Sequence, residues 1–209
     1  TDCRLKYPSE STQKNYTSQV TAFLYKFDNY REPKEIPTQE IKEWLLSAEC
    51  SNSRNHRLCA VKSFYKITVG MKDKLGKVPY SRKAQKLPMP LGIDEIEKLV
   101  DTCDNKKHLA IISLLFGCGM RVGEVLDLKP EQIDRGRMVI HIINGKGAKD
   151  RFVPLDEFVL ENLEDYWKEY KPKTWMFNGQ FSTTEKPTQY TQRSINQFLK
   201  DISKKAGIT

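Results

Sequence analysis

The sequence predicts a mainly α-helical protein with a small antiparallel β-sheet, organised in two domains. Apolar residues recur at helical spacing through most of the chain. Residues 138–155 have instead the pattern of a strand, a turn and a returning strand. A Lys-rich stretch with several Gly and Pro residues separates residues 1–75 from residues 91–209, so we expect an interdomain linker over 76–90.

The first domain is expected to contain three helices. The first begins after Ser11 or Thr12 and runs to about Tyr30, because apolar residues there follow one helical face. Thr38 is expected to cap the second helix. The third helix is predicted over 53–69 and carries both an apolar stripe and a basic stripe, as a helix along a DNA backbone requires. The basic residues of this helix are Arg54, Arg57, Lys62 and Lys66.

The second domain is expected to alternate helices with one β-hairpin. A helix begins near Ile93, and a second, over 106–116, is apolar nearly all round and is therefore predicted to be buried. A further helix is expected over 121–127, followed by strands over 138–143 and 151–155 around the turn Asn144-Gly145. Helices over 156–170 and 190–206, and a short strand over 175–177, complete the prediction.

The net charge is +8, and all of this excess lies in residues 1–90. Residues 54–90 hold ten basic residues and one acidic residue, Asp73. Such a block attracts a polyanion, and a solvated linker is the alternative that explains this imbalance less well. We favour nucleic acid over a membrane surface, because no exposed apolar face accompanies the bases. Five cysteines without a Cys-x-x-Cys pair indicate free thiols and a cytoplasmic location.

Two segments carry the candidate chemistry. Arg121 follows a Gly-rich break after the apolar helix and can pair with Glu124 across one turn. An arginine held in this way suits a phosphate, since a guanidinium matches two oxygens at once. Lys146, Lys149 and Arg151 lie on or beside the hairpin tip. The alternatives are a surface arginine that merely pairs with Glu124 and an ordinary solvated turn lysine.

These segments closely resemble the tyrosine recombinase (phage integrase) family, especially its Xer-like members. The matching runs are Gly-Met-Arg121-Val-Gly-Glu124-Val-Leu-Asp-Leu and Gly145-Lys146-Gly147-Ala-Lys149-Asp-Arg151-Phe-Val-Pro-Leu. Residues 53–65 resemble the third helix of the family's core-binding domain, and residues 191–208 resemble the helix before its second catalytic box. The resemblance implies a helical, SAM-like core-binding domain over 1–75 and part of an α+β catalytic domain over 91–209.

The resemblance also implies roles for individual residues. Arg121 would bind the non-bridging oxygens of the scissile phosphate, Lys146 would act as general acid towards the departing 5′ oxygen, and Glu124 would support the arginine. The chemistry needs no metal and no cofactor, and the implied partners are a duplex recombination site and three further copies in a homotetramer. We assign DNA contacts to the following residues: Arg54, Asn55, Arg57, Lys62, Lys66, Lys149, Arg151 and Arg193.

The family's second catalytic box, His/Lys-x-x-Arg, and its nucleophilic tyrosine are expected to follow residue 209. Tyr166, Tyr170 and Tyr190 precede that box position, so none is proposed as the nucleophile. We therefore expect residues 1–209 to bind DNA without cleaving it. The alternatives are a non-enzymatic DNA-binding regulator that keeps this fold and, with a poorer fit to the small first domain, a type IB topoisomerase or telomere resolvase.

Overall fold

A computed structural model describes residues 2–27, 31–82, 87, 89–145, 149–179, 182–183 and 185–208. The chain divides into two compact units, Thr1–Pro88 and Met89–Thr209. The described residues are mostly helical, with one three-stranded antiparallel sheet. The predicted fold class is thus confirmed.

The first unit is helical. Its elements are α1 (Asp2–Lys6), α2 (Glu10–Lys26), α3 (Thr38–Leu46), α4 (Ser51–Phe64) and a π-helical turn (Tyr65–Val69). Its core is built around Phe23, whose ring lies 5.3 Å from that of Trp44 and 6.1 Å from that of Tyr65. Tyr65 is buried, and its hydroxyl donates a hydrogen bond of 2.7 Å to the carbonyl of Pro33.

The helix ends of this unit differ from the prediction. Helix α2 begins at Glu10, after Ser9, and Thr38 is the first residue of α3 rather than its cap. Helix α1 was not predicted from the sequence, because it has no buried residue and hence no apolar stripe. The predicted third helix is α-helical only to Phe64. The remaining turn is π-helical and ends at Gly70, whose φ of 79° is in the left-handed region that glycine tolerates.

The end of the first unit lies beyond the predicted boundary at residue 75. Leu75 and Val78 are buried in the same core as Phe23 and Trp44. The carbonyl of Val78 accepts a hydrogen bond from Lys62, and Ser81 is bonded to Asn55. Residues 75–81 therefore pack on α4, because two apolar side chains among the lysines provide enough buried surface to hold them there.

The second unit surrounds one apolar helix. Its helices are α5 (Ile93–Asp101), α6 (Lys106–Phe116), α7 (Val122–Asp127), α8 (Glu157–Tyr170) and α9 (Gln192–Lys205). In α6, residues 110–114 are all buried, which confirms the predicted central helix. The short strand predicted over 175–177 is not formed by these described residues. A single bridge pairs Asn178 with Gln189 instead.

The sheet consists of β1 (Ile133–Asp134), β2 (Val139–Gly145) and β3 (Lys149–Pro154) in that order. In β2 and β3, His141 lies opposite Phe152, and Ile142 lies opposite Arg151. Opposed residues share a face of the sheet, and Ile142 is buried. The side chain of Arg151 therefore shares the core-facing side, whereas Phe152 is exposed on the other side.

Candidate functional site

The loop between α6 and α7 fixes the start of α7. A Cβ added to Gly117 would lie 2.6 Å from Cγ2 of Val159, so α6 and α8 approach closely at this point. Gly119 adopts a φ of 58°, and Met120 is buried after it. The Gly-rich break thus packs the chain against the core immediately before Arg121.

Arg121 is the N-cap residue of α7, and Glu124 lies in the first turn. The Glu124 carboxylate accepts a hydrogen bond of 2.8 Å from the backbone amide of Arg121 and one of 2.7 Å from Nη1 of its side chain. The hydrogen bond from the backbone amide pairs an N–H group that has no acceptor within the helix. The side chain of Glu124 is 8% exposed and that of Arg121 is 58% exposed. A partly buried carboxylate thus holds an accessible guanidinium.

Arg151 of β3 binds the same carboxylate. Its Nη1 donates to Oε1 of Glu124 at 2.7 Å, and its Nη2 donates to Oε2 at 2.8 Å. This is a parallel, two-bonded arginine–carboxylate pair, which fixes orientation as well as distance. Two residues 27 apart in sequence are therefore joined by their side chains, and the hairpin is joined to α7.

The charges of this cluster leave it net positive. Burial by itself would raise the pKa of Glu124, but the amide of Arg121 and the guanidinium groups of Arg151 and Arg121 together hold that pKa below its ordinary value of 4.5. Glu124 is therefore ionised at neutral pH. Two guanidinium groups then share one negative charge, and the exposed Arg121 can bind an anion such as a phosphate.

The far end of α7 is fixed by a residue that the sequence analysis did not single out. Nε2 of Gln189 lies 2.7 Å from the carbonyl of Leu126 and 2.8 Å from Oδ1 of Asp127. Gln189 is separated from α7 by more than sixty residues. No spacing or motif in the sequence indicates such a contact.

Two predicted site residues belong to the hairpin tip. Lys146 lies outside the described residues. Lys149 is the first residue of β3, and its side chain is also outside them. The structure therefore brings together Arg121, Glu124 and Arg151, and the roles of the two lysines stay predictions.

Asn55 of α4 is engaged within the first unit. The residue is 8% exposed. Nδ2 of Asn55 donates to the carbonyl of Ser81 at 3.0 Å, and Oδ1 accepts from the amide of Ser81 at 2.8 Å. This geometry favours a structural role for Asn55 over the predicted DNA contact.

Three bases of α4 also have partners within the fold. Arg57 donates a hydrogen bond to the carbonyl of Trp44, and its Cζ lies 4.8 Å from the centroid of the Trp44 ring. Lys62 donates to the carbonyl of Val78 at 2.8 Å. Arg54 lies 3.3 Å from the hydroxyl of Ser81. The basic stripe that the sequence indicates thus helps to hold residues 78–81 and the end of α3, in addition to any contact with a ligand.

The other two bases assigned to DNA are exposed. Lys66 lies in the π-helical turn, and Arg193 lies in the first turn of α9. Within the described ranges, no three His, Cys, Asp or Glu side chains are grouped so that they could hold a metal ion. Among the same residues, no helix combines the length and the apolar composition of a membrane span.

Known proteins resemble the chain in sequence. An integrase/recombinase of Sinorhizobium fredii, y4qK, is 34% identical over 184 residues, which are 85% of this chain and 59% of that protein. The chain covers 49% of a second integrase/recombinase of the same organism, y4eF. The tyrosine recombinase XerA of Pyrococcus horikoshii is 27% identical over 95% of this chain and 70% of its own length.

Solved structures resemble the chain as well. The crystal structure of XerA recombinase is 26% identical, with a TM-score of 0.52, over 96% of this chain and 72% of that one. A lambda integrase tetramer bound to a Holliday junction has the same fold, with a TM-score of 0.71 at 15% identity over 96% and 59% of the two chains. Residues 91–209 match the model of the phage integrase family, and residues 1–73 match the phage integrase N-terminal SAM-like domain. The chain therefore belongs to the phage integrase family.

Proposed function

We propose that residues 1–209 are the DNA-binding and partial catalytic portion of a site-specific tyrosine recombinase. The observation that carries this proposal is the cluster in which partly buried Glu124 orients exposed Arg121 and also binds Arg151 of the hairpin. A surface arginine that merely pairs with a neighbour needs no second guanidinium on its partner. Family membership supplies the class of reaction to which such an arginine belongs.

The proposed reaction is an in-line exchange at a DNA phosphate. A tyrosine oxygen attacks the phosphorus, forms a 3′-phosphotyrosyl bond and displaces the 5′ oxygen. Arg121 binds the non-bridging oxygens and stabilises the additional charge of the transition state. Lys146 donates the proton that the departing 5′ oxygen requires. The phosphodiester energy is kept in the covalent intermediate, so that rejoining needs no nucleotide.

The nucleophile and the second catalytic box have no match within residues 1–209. Residues 152–209 contain no His/Lys-x-x-Arg sequence, and Tyr166, Tyr170 and Tyr190 precede the position of that box. Tyr166 is also buried against Phe177, and burial raises its pKa. We therefore propose that residues 1–209 by themselves bind DNA but do not cleave it.

The proposed partner is a duplex recombination site, bound by a tetramer on two paired sites. The exposed bases and the net charge of +8 support DNA binding. Among proteins of the same fold, lambda integrase forms a tetramer on a Holliday junction, and XerH binds its difH substrate. We extend both properties to the full-length form of this protein.

A suicide substrate with a nick near the cleavage site tests the proposal. The full-length protein encoded by the natural gene should form a covalent protein–DNA product, whereas residues 1–209 should shift the DNA in a gel without forming it. Covalent product from residues 1–209 alone would overturn the division of roles. A full-length protein that binds its site but never cleaves would instead favour the non-enzymatic regulator.

A further inference from the structure

Arg151 was assigned from the sequence to a contact with the DNA backbone, but its guanidinium is engaged within the protein. The two hydrogen bonds to Glu124, of 2.7 and 2.8 Å, use both terminal nitrogens of Arg151. Its side chain is 36% exposed, compared with 58% for Arg121. Of these two arginines, Arg121 is the one that is open to a ligand.

The bonds are distributed evenly over the carboxylate. Oε1 of Glu124 accepts from Nη1 of Arg121 and from Nη1 of Arg151. Oε2 accepts from the backbone amide of Arg121 and from Nη2 of Arg151. Rotation of the carboxylate would break bonds to both partners at once. Arg151 therefore fixes the plane of the group that orients Arg121.

Loss of Arg151 would change Arg121 in two ways. The carboxylate would keep only its two hydrogen bonds to Arg121 itself, so the direction of the Arg121 guanidinium would be less firmly fixed. The carboxylate would also be shared by one guanidinium instead of two, so Arg121 would be more fully neutralised and would stabilise the charge that develops on the phosphate during cleavage less strongly. A misplacement of about 1 Å is enough to slow a reaction about 100-fold.

The pair also connects the two segments that carry the proposed catalytic residues. Arg151 lies in β3, the strand that follows the hairpin tip, and Glu124 lies in α7, beside Arg121. The inner face of β3 at this position is defined by the pairing of Arg151 with Ile142. The contact therefore sets the position of the hairpin relative to α7.

We propose that Arg151 is a positioning residue for the proposed strand cleavage: it holds Glu124 in the orientation that aims Arg121 at the scissile phosphate, and it anchors β3 to α7. This inference rests on the proposed function. The proposal assigns Arg151 an intramolecular role in place of the predicted DNA contact. Loss of a DNA contact would lower DNA affinity, whereas loss of a positioning residue would lower the cleavage rate of bound DNA.

The test uses the full-length protein and four variants, Arg151→Met, Arg151→Lys, Glu124→Gln and the double variant Glu124→Gln/Arg151→Met. The matched control is Arg137→Met, which removes an exposed arginine that pairs with Asp134 in the same unit. Two quantities are measured for each: the single-turnover cleavage rate on saturating suicide substrate, and the DNA affinity as a function of salt concentration.

We expect Arg151→Met to slow cleavage by about 10- to 100-fold, while DNA affinity and its salt dependence stay at the wild-type values. Arg151→Lys should be nearly as slow, because an ammonium keeps the charge but cannot make the parallel pair. The double variant should be no slower than the slower single variant, since both changes remove one interaction. Arg137→Met should cleave at the wild-type rate.

The result that overturns the inference is a lysine variant that restores cleavage, or a methionine variant that cleaves at the wild-type rate once bound but loses about one unit of salt slope. Circular dichroism identifies any variant that does not fold, and the lysine variant then carries the test because it preserves length and charge. Wild-type protein that forms no covalent product would end the proposed function and this inference with it. Normal cleavage by every Arg151 variant would end the inference alone.

Discussion

Asn55 of α4 exchanges two hydrogen bonds with the backbone of Ser81, which lies 26 residues further along the chain. The side-chain amide pairs with both backbone groups of Ser81, as a neighbouring β-strand would. It thereby holds in place a residue of the predicted linker over 76–90. Because Asn55 is buried, the backbone groups of Ser81 would lose their partners if the amide were removed.

We expect Asn55→Ala to lower the free energy of unfolding of the first unit by about 1–3 kcal/mol, the usual effect of leaving buried polar groups unpaired. Urea unfolding followed by tryptophan fluorescence measures this change, because Trp44 lies in the same core. Asn52→Ala, at an exposed position of the same helix, is the control and should change little. Equal stability of the two variants would show that the Ser81 contact contributes nothing.

Two glycines near Arg121 differ in the space around them. An alanine Cβ at Gly117 would lie 2.6 Å from Val159 and 2.8 Å from the carbonyl of Ser113. At Gly123, inside α7, nothing lies within 4 Å. Gly117→Ala should therefore destabilise the second unit by about 1–3 kcal/mol through overpacking. Gly123→Ala should stabilise it by about 0.5–1 kcal/mol, because alanine favours the helix. Thermal unfolding of both variants measures these changes in stability. A change of the same sign in both variants would contradict the difference in packing around the two glycines.

The local features of the fold could be predicted from the sequence. The largely apolar helix α6, the two paired strands of the hairpin and the start of α7 after two glycines depend on neighbouring residues, and the structure has them close to where they were expected. The predicted turn was wrong, because Asn144 and Gly145 are the last two residues of β2. The pair of Arg121 and Glu124 was also predictable, because residues three apart share a helical turn. Its bond is present at 2.7 Å.

Contacts between distant residues could not be predicted in this way. The pair of Arg151 and Glu124 depends on the register of β3 against β2, and the contact of Gln189 with α7 depends on the path of an irregular segment. The same reason applies to Lys62. In the sequence, Lys62 is a base on a helix, which indicates DNA binding. In the fold it donates to the carbonyl of Val78, and this contact forms only because the chain folds back onto α4.

The second unit should lose stability in mild acid because of His108. Burial, and secondarily the charge of Lys107, lower the pKa of His108 from its ordinary value of 6.5. The unfolded chain then binds the proton more tightly than the folded one, so stability is complete above about pH 6.5 and falls as the pH drops towards the folded pKa. The imidazole stacks on Phe198 with the ring centroids 4.0 Å apart, and protonation would place a charge in that contact.

Differential scanning calorimetry between pH 5 and 8 measures this effect. We expect the midpoint temperature of unfolding of the wild-type protein to decrease as the pH is lowered below 6.5. We expect His108→Gln to remove that part of the pH dependence, whatever the absolute stability of the variant. The same substitution at exposed His56 is the control and should leave the pH dependence in place. An unchanged profile in the His108 variant would assign the acid sensitivity to other groups.

Lys66, in the π-helical turn that follows α4, is the exposed member of the predicted basic stripe, and its contribution to DNA binding should be electrostatic. Lys66→Ala should reduce the slope of log affinity against log salt by about 0.9 and should weaken binding to all sequences alike. Filter binding by residues 1–209 at several salt concentrations measures the slope. Lys14→Ala, which removes a lysine paired with Glu10 on α2, is the comparison. Equal slopes for the two variants would indicate that the stripe does not lie on DNA.

Arg121 should be needed for cleavage far more than for binding. Its guanidinium is held at the start of α7 by the partly buried carboxylate of Glu124, so the protein fixes its position before DNA arrives. Its stabilising effect is greatest when charge develops on the phosphate. In the full-length protein, Arg121→Ala should lower the single-turnover cleavage rate by about 100- to 1,000-fold and leave most of the DNA affinity. Arg135→Ala, which removes an exposed arginine paired with Glu164, should change neither quantity. If Arg121→Ala instead lowered affinity and cleavage by the same factor, Arg121 would be a docking residue, and the orientation imposed by Glu124 and Arg151 would serve binding rather than the chemical step.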